Sequence, residues 1–359
     1  LGGERQNRQN KKDQVMDMSA NNSTPKADFF DYQNPEWYRQ FLLHMRYSVD
    51  LRTYEHFAGI VAKFLNSQLK FPQLRPEGDD SLADDVKSMR ENGFCSLGKI
   101  VSDEELAEIR AHVDAGKAHD GWAPDKGDFL IADAPETVHV AHVNDDVVET
   151  TPHLARFASD PRVLARAQAF LGVAPTMMYH AVWWSLAGRE APQDAQLFHI
   201  DRHCYRFCKL FVFLTDVDMD NGPHVYAKGS GFNHVVWQRY EALKKLNPEK
   251  ADGYMAMMRA QRKQDADVED FFGAENIAYI TGKAGEAFLV NTAGIHKGLL
   301  PKTHNRLVFQ SLYTMLPTIK DKVAPIDNQR FWTEHAAAYG DAVPDDYLAY
   351  VNRLMFHHT

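Results

Sequence analysis

The sequence is poor in cysteine, with three among 359 residues: Cys95, Cys204 and Cys208. So few, and an odd number, argue against a disulfide framework and suit a reducing compartment. Cys204 and Cys208 are spaced like half a metal site, but no second Cys/His pair completes a zinc pattern, so they read as ordinary buried thiols. Long apolar runs are also missing. No stretch approaches the roughly 18 residues of a membrane span, and the start, Leu1-Gly-Gly-Glu-Arg, lacks both the apolar core of a secretory leader and an initiator Met. The expectation is a cytoplasmic protein with a processed or extended end and a native start at Met16 or Met18. An excess of positive charge is absent as well: the net charge is -9. Phosphate binding needs concentrated Lys and Arg, so a nucleic-acid partner is not expected.

What is present is ordinary globular material, 44% hydrophobic and 25% charged. The length allows one embellished domain or two ordinary ones, and no internal repeat is visible. Residues 1–28 are polar and read as a flexible tail. Residues 29–84 read as a helical extension around Trp37, Tyr38, Phe41, Leu42 and Met45, closing in a Pro/Gly loop from Phe71. Ser102-Asp-Glu-Glu105 is a capping box that predicts a helix start, and Asp160-Pro161 predicts a second helix ending at Gly172. From Met177 the texture becomes strand-like: Met177–Leu186, Leu197–His203, Leu210–Thr215, Ala287–Asn291 and Leu307–Met315, with a strong turn at Asp218–Pro223. Many short strands between turns predict a sandwich or barrel. Residues 234–276 read as a helical insertion over one end of it, and 321–359 as a C-terminal helical extension.

The chemistry is carried by His199-Ile200-Asp201. On a strand, residues i and i+2 share a face, so imidazole and carboxylate reach one ion. Two His and one carboxylate leave adjacent positions open, the arrangement that suits non-heme iron(II) oxygenases. A second triplet, His112-Val113-Asp114, falls in the helix after Ser102, where i and i+2 lie about 200° apart and cannot share a ligand. Downstream, a strand and turn lead to His296, and Arg306 opens the next strand, where a guanidinium can clamp a carboxylate through paired hydrogen bonds.

His199-Ile-Asp, the run Lys209–Pro223, Gly229-Ser230, and Gly285…His296…Arg306 resemble the phytanoyl-CoA dioxygenase-like family, as does the front unit Asn92-Gly-Phe with Ser102-Asp-Glu-Glu. The likeness covers roughly residues 85–315. It implies a double-stranded β-helix, a jelly-roll barrel; iron(II) on His199, Asp201 and His296; 2-oxoglutarate as cosubstrate on Arg306, with Phe211 packed beside it; and O2 as oxidant. Two departures stand out: Gly231 where the family often has His, and the helical additions. No coenzyme A site is marked, so the family's acyl-CoA substrate is not carried over. Halogenation is disfavoured because Asp201 is present. Arg202, His203 and Arg206, directly after the metal triplet, suggest an anionic small molecule steered to the pocket mouth, with Arg239, Lys244 and Lys245 on a possible lid. Tyr179 and Trp183 are candidate pocket walls, while His139, His142, His180, His224 and His234 read as structural. The competing reading is a non-catalytic jelly-roll that binds a ligand or partner.

Overall fold

The computed structural model describes residues 51–318 and 325–358. The tail expected over 1–28 and the first part of the helical extension lie outside the described residues. The helices and strands follow in the order α1 (Leu51–Leu69), α2 (Leu82–Glu91), β1 (Phe94–Lys99), α3 (Asp103–Ala115), β2 (Ala118–Asp120), β3 (Asp128–Phe129), β4 (Val140–Val143), α4 (Asp145–Thr150), α5 (Leu154–Ala158) and α6 (Pro161–Leu171). Then come β5 (Thr176–Ser185), β6 (Phe207–Phe213), β7 (His224–Ala227), α7 (Asn233–Leu246), α8 (Pro248–Arg259), α9 (Asp265–Phe272), β8 (Ile277–Ile280), β9 (Glu286–Val290), β10 (His296–Gly298), β11 (Arg306–Thr314), α10 (Gln329–Tyr339) and α11 (Asp345–Asn352).

The helix boundaries follow local chemistry. Ser102 and Glu105 form the reciprocal capping box at α3. The Asp160 carboxylate accepts from the Arg162 amide, Pro161 opens α6, and Gly172 closes it in a left-handed conformation at φ 81°. No described helix is long and apolar enough to cross a membrane.

The strands form two antiparallel sheets, an eight-stranded one in the order β1-β9-β6-β11-β5-β4-β2-β3 and a three-stranded one in the order β10-β7-β8. This is the expected mainly β, jelly-roll architecture with flanking helices. The period-2 alternation of side chains sorts each strand's residues between two environments. On β6, Leu210 and Val212 join the core under α6, while Phe211 and Phe213 join the cluster between the sheets. On β7, Tyr226 belongs to that inter-sheet cluster, whereas Val225 and Ala227 pack with Tyr254, Met258 and Phe272 of the helical insertion. The helical segment expected over 234–276 comprises α7, α8 and α9, with Asn247-Pro248 capping and starting α8. It covers the outer face of the small sheet.

The segment Leu197–His203 departs from expectation. It is not a ladder strand but an extended stretch making single bridges, Phe198 with Lys263 and His199 with His296, before the chain bends at 203–206. It lies at the sheet's rim, so the bend ends the pairing.

One polar cluster ties the front of the domain to α6. Arg166 is buried and reaches Asp79 (Nη2–Oδ1 2.8 Å) and Asp85 (Nε–Oδ2 2.9 Å). Removing the guanidinium leaves the largely covered Asp79 carboxylate with Ser81 as its remaining partner. Arg166→Leu is expected to lose roughly 3–5 kcal/mol of unfolding free energy, read by denaturant titration; a loss below 1 kcal/mol would show that water replaces the guanidinium.

Candidate active site

The extended backbone at 199–201 is sufficient for the geometry the triplet requires. His199 and His296 exchange both backbone hydrogen bonds (N–O 2.9 and 3.0 Å), and the Asp201 amide donates to Thr292 O (3.0 Å). This pairing brings His199, Asp201 and His296 together with one ligand atom from each within 4.8 Å of the others, the one such group among the described residues. His199 Nε2 lies 3.8 Å from Asp201 Oδ1, and His296 Nε2 lies 3.6 Å from Asp201 Oδ2.

Both imidazoles are locked for ligation. His199 Nδ1 meets Leu197 O and His296 Nδ1 meets Gly294 O, each at 2.9 Å. A carbonyl can only accept, so Nδ1 carries the proton and the Nε2 lone pair faces the centre. Burial pushes the His199 pKa down to about 3 and lowers that of His296. Burial alone would raise Asp201, but Lys209 and the neighbouring histidines hold it well below the usual carboxylate range. Two neutral imidazoles and one carboxylate are the protonation states a divalent metal needs, so the donor set fits iron(II).

The turn before His296 is shaped by close packing. A Cβ at Gly294 would sit 2.0 Å from Tyr226 Oη. The Gly229-Ser230 motif also serves this turn: buried Ser230 Oγ accepts from the Ile295 amide (2.7 Å) and donates to Ala227 O (2.6 Å). The departure at Gly231 has a steric reason, because a Cβ there would stand 2.6 Å from Tyr226 Oη and 2.7 Å from Asn291 Nδ2.

A cavity of about 810 Å³ opens onto the triad. At its inner end lies Arg306, buried, its Nη1 donating to Gly222 O and its Nη2 to Ser185 Oγ (2.9 Å). Gly298 makes room for it; a Cβ there would lie 2.6 Å from Nη2. No described carboxylate is ion-paired with Arg306, its Nε has no partner, and burial lowers its pKa to about 10, which leaves it charged at neutral pH. A buried cation without a counter-ion is costly, so this end of the cavity suits an anionic ligand. Phe211 lines the cavity, stacked on Phe288 (5.3 Å) and edge-on to Trp183 (6.1 Å).

The phytanoyl-CoA dioxygenase (PhyH) family pattern matches residues 89–303, more than half of the chain. The chain belongs to the phytanoyl-CoA dioxygenase family. This makes the PhyH chain an oxygenase of the non-heme iron(II)- and 2-oxoglutarate-dependent kind, with O2 as co-reactant. No curated protein sequence matches it. Among solved structures it is similar to HygX from Streptomyces hygroscopicus with nickel, 2-oxoglutarate and hygromycin B bound (16% identity, 66% of this chain and 89% of that one, TM-score 0.41). It is also similar to EctD from S. alaskensis with bound Fe (18%, 68% and 81%, 0.41) and to the alpha ketoglutarate dependent carbocyclase SnoK from nogalamycin biosynthesis (16%, 64% and 82%, 0.40).

The substrate-side expectations fare unevenly. Tyr179, Trp183 and Arg202 line the cavity. Arg206 does not: its guanidinium turns to Glu55 (3.2 Å) and to the end of α6 at Leu171 O (3.5 Å), because the bend at 203–206 carries it to the outside of β6. The basic residues of the expected lid do not line the cavity either. Arg239 donates to Phe271 O (3.2 Å) and packs over Phe272, and Lys244 and Lys245 are solvent-exposed. The insertion instead sends Gln261 and Arg262 to the cavity wall. The helix triplet turns to other partners: His112 Nε2 meets Thr150 Oγ1 and Asp114 pairs with Arg110, both near the surface.

Three further residues at the site were not among the expected site residues. Lys209 is buried on β6 with Nζ 2.7 Å from Asp201 Oδ2. Burial would lower its pKa, but Asp201 and Tyr179 outweigh that and raise it. Gln310 Nε2 donates to the Tyr179 hydroxyl (2.9 Å), extending a polar row across β6, β11 and β5. His224, read as structural, lines the cavity and stacks on His296 (5.4 Å). The i, i+2 spacing of Lys209 with Phe211 was the available signal for the first, since both must share a face.

If this set seats the metal, His199→Ala and His296→Ala each abolish stoichiometric iron(II) binding under nitrogen while melting cooperatively, whereas His112→Ala and Asp114→Ala retain it. Retention at full affinity in His199→Ala or His296→Ala would remove the assignment.

Proposed function

We propose that this protein couples oxidative decarboxylation of 2-oxoglutarate to oxidation of a C–H bond in a small polar or anionic metabolite. The observation that carries the reading is the pairing, in one cavity, of a charge-ready His199/Asp201/His296 set with a buried Arg306 that has no carboxylate partner among the described residues. When bound, the iron supplies oxygen activation, with 2-oxoglutarate as the electron donor and succinate and CO2 as its products. The protein's contribution is placement. His199, Asp201 and His296 hold the metal on one side and leave the cavity side open. Arg306 receives the far carboxylate of 2-oxoglutarate, and Phe211 with Phe288 and Trp183 forms a dry wall beside its carbon chain. Burial of the site strengthens each of these electrostatic contacts.

Support for a polar or anionic substrate comes from the polar lining of the cavity, where Arg202 and Arg262 stand with Tyr179 and Gln310. Arg262 is held by Asp194 (3.6 Å) and lies over the Trp122 ring (5.9 Å), which places a cation and an exposed aromatic at the same rim. Hydroxylation, desaturation and ring closure all begin by removing a hydrogen from the substrate carbon, so the same placement serves each of them.

Iron-dependent release of succinate from 2-oxoglutarate, slow alone and faster with substrate, is the expected activity; absence of any 2-oxoglutarate consumption by the iron-loaded protein would favour the non-catalytic alternative. Arg306→Ala should bind 2-oxoglutarate at least about tenfold more weakly, since a charge-assisted pair contributes roughly 1.5–3 kcal/mol, with iron affinity unchanged in anaerobic titration. Once a substrate is found by screening, Arg202→Glu and Arg262→Glu should raise its KM, and Arg206→Glu should not. Equal effects of all three would mean long-range charge rather than contact at the cavity wall.

A further inference from the structure

The cavity that holds the metal set and Arg306 is also lined by a further buried imidazole. His224 is the first residue of β7, directly after Gly222-Pro223. It is 5% exposed, and its Nε2 is buried with no hydrogen-bond partner. The register of the small sheet fixes where it stands. Tyr226 pairs with His296 and His224 with Gly298. The Gly298 side of that pair is the space Arg306 occupies, and Gly222, two residues before His224, accepts from Arg306 Nη1. His224 also stacks almost parallel on the His296 ring, with centroids 5.4 Å apart and planes 14° apart. It also packs against Phe211 at 4.9 Å and Phe288 at 5.6 Å. The ring therefore lies between His296 and Arg306, on the span that a dicarboxylate reaching from one to the other must cross.

A buried imidazole nitrogen with no partner is costly, and such groups in native proteins ordinarily have one, from the protein, from water or from a ligand. Arg306 Nε is orphaned in the same cavity. A buried imidazole Nε2 and a buried guanidinium Nε, both without a partner and both on residues that line one cavity, make a seat for a carboxylate when the imidazole carries its proton on Nε2.

We propose that His224 is a cosubstrate-binding residue: its Nε2–H donates to the carboxylate of 2-oxoglutarate that Arg306 holds. The inference rests on the reading of Arg306 given above. The neutral imidazole adds direction without adding charge. Arg306 fixes the carboxylate from the β11 side and His224 fixes it from the small sheet, so the bound dicarboxylate is held between the two sheets. A side chain without a donor at position 224 would leave the carboxylate with the guanidinium alone.

The test is anaerobic titration of the iron(II)-loaded protein with 2-oxoglutarate, comparing wild type, His224→Leu and His224→Gln. Gln keeps an N–H near the place of Nε2, and Leu removes it. His224→Leu is expected to bind 2-oxoglutarate about tenfold or more weakly, His224→Gln to recover most of that loss, and both to bind iron(II) within about twofold of wild type. Thermal melting supplies a second readout. Without ligand, His224→Leu should melt at or above the wild-type temperature, because it replaces an unsatisfied buried group with an apolar one; with saturating 2-oxoglutarate the wild type should gain more. His224→Leu binding 2-oxoglutarate as tightly as wild type, or His224→Gln failing as badly as Leu while both retain iron and fold, would overturn the proposal. If the wild type itself shows no affinity for 2-oxoglutarate, the failure lies with the reading of Arg306 and not with His224.

Discussion

The backbone pair between His199 and His296 is the contact on which the site depends. It joins a segment before β6 to one after β9, and its two hydrogen bonds set the register that turns both imidazoles and the Asp201 carboxylate to one side. A slip of one residue would send every one of these side chains to the opposite face. The surrounding packing prevents a slip. Tyr226 fills the space against Gly294, and Ser230 holds the Ile295 amide, so the approach to His296 has little freedom. The helical insertion then covers the other face of the small sheet and keeps it dry.

Charge is arranged on this frame in a graded way. Asp201 and Lys209 neutralise one another at the metal end, His199, His224 and His296 are kept neutral by burial, and Arg306 remains as a cation facing the cavity. The cavity thus asks for a metal at one end and a carboxylate at the other. Lys209 has a further consequence: its ammonium on Asp201 Oδ2 would leave Oδ1 to hold a metal.

The legible parts of the molecule were those governed by local rules. The capping box at Ser102, the Asp160-Pro161 start and the strand textures of β5, β6, β9 and β11 follow from neighbours in sequence. The His-x-Asp spacing and the placement of Arg306 at a strand start were legible because strand periodicity determines which side chains share a face. What could not be read depends on pairing across the sheets. Arg206 resembles Arg202 in sequence, yet the bend at 203–206 sends it to Glu55, while Arg262 reaches the cavity from the loop between α8 and α9. His224 gained meaning only when β7 was placed opposite β6, a relation set by register and turn geometry rather than by spacing along the chain.

The central claim is that one divalent metal sits between His199, Asp201 and His296 with 2-oxoglutarate reaching from it to Arg306. Anomalous diffraction from crystals grown under nitrogen with iron(II) and 2-oxoglutarate tests this most directly. The account predicts a single strong metal peak within bonding distance of His199 Nε2, His296 Nε2 and one Asp201 oxygen, with the far ligand carboxylate on Arg306. A peak at any other group of residues, or a fully formed triad that stays empty at saturating iron, would contradict it.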